Sequence, residues 1–385
     1  MKIGFDAKRA FKNVTGLGNY SRTLIGTLAT YFKENEYYLF ATEKTDLFNT
    51  APFSNIKTIV PEHFIDKLFP SAWRSSGIKK DLIKNKIDLY HGLSHEILIG
   101  IKQTGIPSVV TIHDLIFERY PNQFNFIDVN IYRKKFKYAC TNANHIIAIS
   151  KQTKTDIIEL YKINPDKITV CYQSCNPIFA NTIAEKEKQR IKKLYNLPSQ
   201  FFLYVGSVIE RKNLLIICKA INLLKEKNNL PLVVIGKGDE YIKAVKKYIA
   251  ENNLAGKIIF LSETEAAQTS VNFKTGVDFP AIYQMATAMI YPSIYEGFGI
   301  PVLEALWSRL PVITSNLSCL PETGGDAAWY INPYDENEMA EAMNTIATNI
   351  FVSDEMKEKG WLHAQNFTSQ RCGADVMEVY RKILA

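Results

Sequence analysis

The sequence predicts an α/β protein made of two doubly wound domains, each with a parallel sheet that helices cover on both faces. Its length of 385 residues suits two domains of roughly 150 residues or more. Short apolar runs rich in β-branched residues alternate with longer amphipathic segments, which is typical of parallel sheets. The alternation stops at a polar segment and restarts at residue 201, so a second domain of the same kind is expected.

The predicted elements follow this alternation in order. In the first part, the predicted strands are KIGFDA (2–7), YYLFA (37–41), VVTIHD (109–114), HIIAIS (145–150) and KITVCY (167–172). In the second part, they are FFLYVGS (201–207), PLVVIG (231–236), IIFLS (258–262), TAMIYPS (287–293), PVITS (311–315) and AAWYI (327–331). Amphipathic spacing predicts helices over Leu17–Tyr31, Lys151–Tyr161, Asn213–Lys227 and Tyr241–Asn252.

The polar segment marks the predicted domain boundary. We predict a first domain over 1–180, a linker over 181–200 (NTIAEKEKQRIKKLYNLPSQ) and a second domain over 201–368. An amphipathic helix over 369–385 is expected to pack back on the first domain. In open parallel sheets, ligands bind at the carboxyl ends of the strands. We therefore expect the two domains to face a central cleft that holds the site.

Composition excludes several protein classes. The chain is 46% hydrophobic and 22% charged, which is ordinary for a folded protein. It lacks the run of about 18 apolar residues that a membrane span needs, and the start MKIGFDAKRAF lacks the apolar stretch of a secretion signal. Its six cysteines have no zinc-type spacing and predict buried free thiols in a reducing compartment. We expect a cytoplasmic protein.

Charge is distributed unevenly along the chain. Residues 1–180 carry 24 Lys and Arg against 16 Asp and Glu, whereas residues 181–385 carry 22 against 23. The basic segments Lys79–Lys86 and Arg133–Lys137 are either solvated helix faces or contacts to an anionic surface, such as the inner face of the cell membrane. Nucleic acid is not an expected partner, because no recognised binding module is present.

The segment Tyr291–Ala305, YPSIYEGFGIPVLEA, holds the strongest candidate site. It is predicted as a strand end, a glycine-containing loop and a helix that starts near Pro301. The free N–H groups at that helix start favour an anion, and the glycines allow close approach by a ligand. The carboxylates of Glu296 and Glu304 can each contact a different part of the same ligand. The loop between strand and helix contains Glu296, Gly297, Phe298 and Gly299.

A second candidate cluster follows the strand at 201–205. Gly206 and Ser207 form a loop, and Arg211 and Lys212 either neutralise an anionic ligand or are solvated charges before a helix. No D-x-D triplet, a pair of carboxylates that could hold a divalent ion, occurs in the chain, so no metal is expected. We expect no cofactor either. The Gly-Lys-Gly at 236–238 lacks the third glycine of a dinucleotide fingerprint, because position 241 is tyrosine.

Four further candidates lie in the first part of the chain. Gly16 and Gly18 either serve a turn or allow close approach by a ligand. His113 lies at the carboxyl end of a predicted strand, where it is either structural or a ligand contact. His91 lies at another strand end, and we consider it as a further ligand contact.

These segments resemble the retaining, two-domain glycosyltransferases of family 4. The match to their E-x7-E signature, Y-P-S-x-Y-E-G-F-G-I-P-V-L-E-A, is nearly complete. The resemblance extends to Gly16-Leu17-Gly18-Asn19-Tyr20, His113-Asp114, Gly206-Ser207, Arg211-Lys212-Asn213, Pro311-Val312-Ile313-Thr314 and Leu320-Pro321-Glu322. Within the family, HDLIFERYP and VGSVIERKNL are most similar to the mannosyltransferase B-like branch. The sequence departs from some relatives at Ser207, where they carry a further arginine.

This resemblance implies the GT-B fold, with two Rossmann-like domains, and metal-independent transfer with retention at the anomeric carbon. It implies a nucleotide-diphosphate sugar, with GDP-mannose favoured, and a saccharide or lipid-linked acceptor of bacterial surface polysaccharide synthesis. The implied roles are Glu296 and His113 at the transferred sugar, Glu304 at the ribose, Arg211 and Lys212 at the phosphates, and Gly16, Gly18, Ser207, Gly297, Phe298 and Gly299 around the donor. With a saccharide acceptor expected, we predict that His91 contacts it. The alternatives are an epimerase or phosphorylase of the same fold, or a saccharide-binding subunit without turnover.

Overall fold

The structure, a computed structural model, describes residues 1–225 and 230–385 and contains two parallel sheets. The strands are β1 Lys2–Asp6, β2 Glu36–Phe40, β3 Ile56–Ile59, β4 Leu89–Gly92, β5 Ser108–Ile112, β6 His145–Ala148, β7 Ile168–Val170, β8 Phe202–Val205, β9 Leu232–Ile235, β10 Ile258–Phe260, β11 Ala288–Tyr291, β12 Val312–Ser315 and β13 Trp329–Ile331. The first sheet has the order β3-β2-β1-β4-β5-β6-β7, and the second has the order β10-β9-β8-β11-β12-β13. The prediction of two doubly wound parallel-sheet domains is confirmed.

Helices occupy the connections between the strands. The α-helices are α1 Lys8–Lys12, α2 Gly16–Tyr31, α3 Phe64–Leu68, α4 Pro70–Ala72, α5 Ile78–Lys84, α6 Ile116–Arg119, α7 Phe126–Asn142, α8 Lys151–Tyr161, α9 Glu185–Leu194, α10 Leu214–Leu224, α11 Glu240–Glu251, α12 Glu265–Thr269, α13 Val271–Thr275, α14 Phe279–Met285, α15 Ile300–Trp307, α16 Leu320–Gly324, α17 Glu336–Thr348, α18 Ile350–Ala364 and α19 Ser369–Leu384. Trp73–Gly77 forms a π-helical turn, and Glu210–Lys212 forms a 3₁₀ turn.

Local sequence signals account for several helix starts. The side chains of Asn125, Ser150 and Asp335 each accept a hydrogen bond from a backbone N–H in the first turn of α7, α8 and α17. Such N-caps satisfy N–H groups that have no partner within the helix. The helix predicted over Asn213–Lys227 is observed as α10, and residues 226 and 227 of that prediction lie outside the described residues.

The first sheet has two edge strands, β3 and β7. Of these two, β3 is absent from the strands predicted above. Its sequence, IKTI, is only partly buried, because it pairs on one side with β2 alone. The central strands β1, β4 and β5 are almost completely buried and mostly apolar, since helices cover both faces. An edge strand carries no such continuous apolar run, so its sequence signal is weaker.

The chain divides into two units. The first consists of Met1–Cys175 and Phe367–Ala385, and the second of Asn176–Asn366. Helix α9 lies in the segment predicted as a linker and belongs to the second unit, where Arg190 contacts Asp278. The hydroxyl of Tyr195 also donates to Asp278, at 2.5 Å. The segment 181–200 is therefore tied to the second unit by a helix and by buried hydrogen bonds.

The last helix, α19, packs inside the first unit. Its Gly373 lies so close to Thr27 of α2 that a Cβ atom there would be 2.6 Å from the methyl carbon of Thr27. The hydroxyl of Tyr380, also on α19, lies 2.6 Å from Nδ1 of His91 on β4. The chain thus returns to its first unit through small-residue packing and a buried hydrogen bond.

Each sheet has a point at which the order of its strands reverses. In the first sheet this point lies between β1 and β4, and in the second between β8 and β11. Loops that leave the two central strands diverge there and open a crevice at the carboxyl ends, where ligands of doubly wound sheets bind. Within the described residues, no helix is both long and apolar enough to cross a lipid bilayer.

Candidate functional site

Two loops meet at the reversal point of the second sheet. The loop after β8 carries Arg211 and Lys212 in the 3₁₀ turn, which ends at Asn213 in a left-handed conformation with φ of 56°. The loop after β11 carries Glu296. Because β8 and β11 are hydrogen-bonded neighbours, these loops leave the sheet side by side. Residues 85 positions apart in the chain thus share one site.

A buried cluster of three charges occupies this site. Oε1 of Glu296 lies 3.0 Å from Nη1 of Arg211 and 2.9 Å from Nζ of Lys212. The three side chains are 10%, 9% and 13% exposed, respectively. The hydroxyl of Tyr291, at the end of β11, donates to the same Glu296 oxygen at 3.0 Å and accepts from Lys212 at 2.6 Å. All three charged groups are therefore held in place.

The cluster keeps the Glu296 carboxylate ionised. Burial alone would raise the pKa of Glu296, but the charges of Lys212 and Arg211 outweigh burial and lower it to about 2. At neutral pH, two cations and one anion leave the cluster with one net positive charge. A diphosphate that arrives at this crevice would meet an attractive potential.

Backbone contacts fix the loop on which Glu296 lies. The hydroxyl of Ser318 donates to the carbonyl of Glu296 at 2.8 Å, and the thiol of Cys319 lies 3.1 Å from the same oxygen. Arg211 donates to the carbonyl of Tyr295, and the carbonyl of Arg211 accepts from the N–H of Ile294 at 2.8 Å. These hydrogen bonds hold the loop after β8 and the loop after β11 together.

The Gly-Lys-Gly segment after β9 has a packing role. A Cβ atom at Gly236 would lie 1.9 Å from the carbonyl oxygen of Gly206, and one at Gly238 would lie 2.1 Å from that of Val208. At Gly206, a Cβ atom would press on the Lys212 side chain at 3.2 Å. These glycines let neighbouring loops approach each other and leave room for Lys212.

The start of α15 completes the site on the β11 side. Gly299 precedes the helix with φ of 97°, and a Cβ atom there would lie 2.8 Å from Leu320. The backbone carbonyl of Phe298 accepts a hydrogen bond from Thr323, and the residue is 2% exposed. Gly297 is also buried. Donor contacts by Gly297 and Phe298 stay predictions.

Glu304 lies one turn into α15 and has a different environment from Glu296. The hydroxyl of Tyr283 donates to its Oε2 at 2.8 Å, and no cation pairs with it in the described part of the chain. Burial raises the pKa of Glu304 to about 7. An acceptor group without a counter-charge is suited to hydroxyl donors such as those of a sugar.

Replacing Glu304 with glutamine should stabilise the ligand-free protein at pH 8. Because folding raises the pKa of this carboxyl, the wild-type protein is more stable below pH 4.5, and its stability falls as the pH rises through 7. Glutamine removes that cost, so unfolding should require about 2–3 kcal/mol more at pH 8 and no more at pH 4. Thermal unfolding at both pH values measures this difference. Equal gains at both would contradict the assignment.

Ser207 is exposed on the loop after β8. Its carbonyl accepts a hydrogen bond from the hydroxyl of the buried Tyr204 at 3.0 Å. The backbone is thus fixed while the side chain faces outward. A donor contact by this hydroxyl stays a prediction.

The predicted residues Gly16, Gly18, His91 and His113 lie in the first unit. A Cβ atom at Gly18 would lie 1.8 Å from the carbonyl oxygen of Asn13, so this glycine is required by its own loop. Gly16, the first residue of α2, has nothing within 4 Å of its Cβ position. Of these two glycines, Gly16 thus leaves open space that a ligand could enter.

His113 follows β5 and is held as a neutral side chain. Burial lowers its pKa to about 4. Its Nε2 lies 2.9 Å from the carbonyl oxygen of Leu93, so Nε2 carries the hydrogen and Nδ1 is an acceptor. Its ring packs nearly perpendicular to that of Tyr20, with a centroid distance of 4.6 Å. The oriented ring can accept a hydrogen bond from a sugar hydroxyl.

The structure does not support the prediction that His91 contacts the acceptor. Its side chain is completely buried. Nδ1 lies 2.6 Å from the hydroxyl of Tyr380, and Nε2 lies 2.8 Å from that of Thr111. Because both ring nitrogens are engaged inside the unit, we assign His91 to holding α19 against the sheet.

Sequence reasoning missed an ion-pair cluster at the reversal point of the first sheet. Arg74 donates to Asp6 Oδ1 at 3.0 Å and to Glu96 Oε2 at 3.1 Å, and Lys135 lies 3.0 Å from Glu96 Oε1. The four residues come from β1, the π-helical turn, the loop after β4 and α7. No local motif links such distant positions, so the sequence offered no signal.

In the described residues, no group of three or more His, Cys, Asp or Glu side chains is placed to hold a metal ion. Their six cysteines are free and buried.

Comparisons with known proteins identify the family of both parts of the chain. Residues 14–177 match the family described as Glycosyltransferase Family 4, and residues 185–361 match the family described as Glycosyl transferases group 1. The O-antigen chain mannosyltransferase RfbU of Salmonella typhimurium is 30% identical over 62% of this chain and 60% of its own length. The O-antigen chain mannosyltransferase B of Escherichia coli is 24% identical over 99% of this chain and 100% of its own length.

Solved structures are similar over the whole chain. A glycosyltransferase from Rickettsia africae has a TM-score of 0.74 at 19% identity and covers 100% of this chain and 98% of its own. Anabaena HepE, solved in complex with UDP-glucose, has a TM-score of 0.73 at 15% identity over 99% of this chain and 100% of its own. At 19% and 15% sequence identity, the structural similarity establishes the fold of this chain.

Proposed function

We propose, from the premise that this chain belongs to the glycosyltransferases of family 4 and group 1, that it transfers a sugar from a nucleotide-diphosphate sugar to a saccharide or lipid-linked saccharide. The favoured donor is GDP-mannose, and the favoured setting is bacterial surface polysaccharide synthesis. The names of the Salmonella and Escherichia coli relatives support mannose as the sugar and surface polysaccharide as the setting.

The observation that carries this proposal is the buried cluster of Arg211, Lys212 and Glu296 at the reversal point of the second sheet. Its net positive charge suits a diphosphate, and the N-terminus of α15 adds partial positive charge beside it. Glu304, four positions further into α15 than Ile300, suits the hydroxyls of the nucleoside ribose. One ligand with a sugar, a diphosphate and a ribose uses all of these features.

The proposed chemistry follows from where charge develops. The acceptor hydroxyl oxygen forms a bond to the anomeric carbon on the face that the diphosphate leaves, and the bond from that carbon to the phosphate oxygen breaks. The departing diphosphate takes the proton of the hydroxyl. Lys212 and Arg211 stabilise the negative charge that grows on it. Contacts of His113 and Gly16 to the transferred sugar stay predictions that the family resemblance implies.

The donor can be identified by a thermal-shift screen with GDP-mannose, UDP-glucose and ADP-glucose. A ligand that binds only the folded chain raises its unfolding temperature, so we expect GDP-mannose to give the largest increase. No shift with any nucleotide sugar would contradict the proposed function.

Sugar transfer should persist in excess EDTA, because the cations Arg211 and Lys212 are proposed to neutralise the diphosphate in place of a metal ion. Loss of transfer in EDTA with recovery on adding Mg²⁺ would contradict metal independence.

Some of the first unit's basic side chains are available for an anionic surface. Lys80, Lys84, Lys134 and Lys137 pair with no carboxylate in the described residues, whereas Arg133 is bound to Glu118. We propose a peripheral location at the inner face of the cell membrane, where a lipid-linked acceptor would be met.

A further inference from the structure

Four buried polar side chains connect the last helix of the first unit to the surroundings of His113. The hydroxyl of Tyr380 on α19 lies 2.6 Å from Nδ1 of His91, and Nε2 of His91 lies 2.8 Å from Oγ1 of Thr111 on β5. The same Thr111 oxygen lies 3.1 Å from the hydroxyl of Tyr20 on α2. Three of the four residues are completely buried, and Tyr20 is 7% exposed. We call Tyr20, Thr111, His91 and Tyr380 the polar network.

Each member of the polar network has another member as a hydrogen-bond partner. Burial lowers the pKa of His91 to about 3, so its imidazole is neutral, donates from one ring nitrogen and accepts at the other. A buried polar group without a partner would cost stability, whereas apolar residues of the same shape would fill this space without that requirement. Stability alone therefore does not explain the polar network. A fully bonded network also gives each of its members a fixed position.

The ring of Tyr20 connects the polar network to His113. The two rings are nearly perpendicular, at 89°, and their centroids lie 4.6 Å apart. Phenylalanine at position 20 could make the same ring contact. The hydroxyl of Tyr20 adds the hydrogen bond to Thr111, and this bond fixes where the ring lies against His113.

The direction of the His113 ring depends on its packing. The hydrogen bond between Nε2 and the carbonyl of Leu93, at 2.9 Å, fixes one atom and leaves the ring able to pivot about it. The ring of His95 packs against His113 with a centroid distance of 5.0 Å and is itself stacked on Phe136 at 4.3 Å. Tyr20 supplies a further ring contact. The direction of Nδ1, the acceptor atom of His113, therefore depends on where Tyr20 lies.

We infer that Tyr20 is a positioning residue for His113, and that the polar network holds it in place through Thr111 and His91 as far as Tyr380 on α19. Tyr20 acts through the ring of His113, whose acceptor nitrogen it directs. The inference rests on the proposed function only in giving that nitrogen a sugar hydroxyl to bind. The orientation of His113 itself is a property of the ligand-free protein.

Tyr20→Phe keeps the ring and removes the hydroxyl, so it tests the polar network directly. We expect kcat for sugar transfer to fall about tenfold, whereas the affinity for GDP, which has no sugar to contact His113, should stay at the wild-type value. Thr111→Val removes the other partner of the same hydrogen bond and should slow transfer as well. The double variant should be no slower than Thr111→Val alone, because both substitutions break one network.

Tyr37 offers a matched control in the same unit. It is completely buried, and its hydroxyl donates to the carbonyls of Leu28 and Phe32, both at 3.0 Å. Tyr37→Phe therefore also removes a buried hydroxyl that is bonded at α2, but one that does not lead to His113. This variant should lower the unfolding temperature about as much as Tyr20→Phe and should keep the wild-type kcat. A general loosening of the unit would slow both variants alike.

Nuclear magnetic resonance reads the orientation of His113 without any activity. The protein has six histidines, and nitrogen-15 spectra of their labelled rings distinguish the two neutral tautomers. The spectrum of His113→Asn identifies the signals of His113. In the wild type we expect one set of signals with the hydrogen on Nε2. In Tyr20→Phe these signals should broaden or double, and in Tyr37→Phe they should keep the wild-type pattern.

Three results would overturn the inference: unchanged His113 signals in Tyr20→Phe, an unchanged kcat in that variant, or equal changes in Tyr37→Phe. A wild-type protein that transfers no sugar, and whose His113 signals respond to Tyr20→Phe as expected, would contradict the proposed function alone.

Discussion

Replacing Lys212 with alanine should slow sugar transfer by roughly 30- to 1000-fold, a loss of about 2–4 kcal/mol of transition-state stabilisation. The ammonium group lies at the reversal point of the second sheet, fixed by Glu296 at 2.9 Å and by the Tyr291 hydroxyl at 2.6 Å. A charge held in place before the reaction stabilises a growing diphosphate charge without reorganisation. The loss should therefore appear in kcat as well as in kcat/KM.

The measurement uses the nucleotide sugar that stabilises the chain most, with and without excess EDTA. Lys243→Ala is the matched control, because Lys243 pairs with Glu240 on the exposed surface of the same unit and should keep wild-type rates. A Lys212→Ala variant that folds and transfers sugar at wild-type rate would exclude Lys212 as the phosphate contact.

Replacing Glu296 with glutamine should reduce turnover by about 100-fold or more while leaving the affinity for GDP unchanged or tighter. The carboxylate neutralises one of the two cations that we propose as the diphosphate contacts. Its removal raises the net charge of the cluster from one to two, so the bare nucleotide should not bind more weakly. The contact proposed for the transferred sugar is lost, however, and turnover falls.

Kinetics and GDP titration of the variant, beside Glu296→Asp, distinguish charge from position. Aspartate keeps the charge but draws it back by one methylene, so it should retain folding and lose part of the turnover. A parallel fall of GDP affinity and turnover in Glu296→Gln would place Glu296 at the nucleotide rather than at the sugar.

The pH dependence of stability gives an independent test of the same cluster. The pKa of Glu296 is about 2 in the folded chain against 4.5 for a free side chain. The ion pairs therefore contribute stability above pH 4.5 that disappears as the pH falls toward 2, an effect of about 3 kcal/mol. The difference in unfolding temperature between wild type and Glu296→Gln should shrink over this range.

The sequence by itself determined the architecture and the segments that carry the site. Continuous apolar strands have to be buried on both faces, so the central strands, the two-domain organisation and the helices between them could be predicted from their period. The strand, loop and helix of YPSIYEGFGIPVLEA and the turn with Arg211 and Lys212 are local features, and they were placed correctly.

Only the tertiary structure decided how distant side chains pair. It joined Glu296 to Arg211 and Lys212, enclosed His91 between Tyr380 and Thr111, and assembled Asp6, Arg74 and Glu96 at the first sheet. It also left Phe64 and Phe126 exposed where the sequence alone allowed a core position. The physical reason is that periodicity reports the local burial of one segment. Ion pairing, pKa and surface exposure depend on which segments the fold packs together.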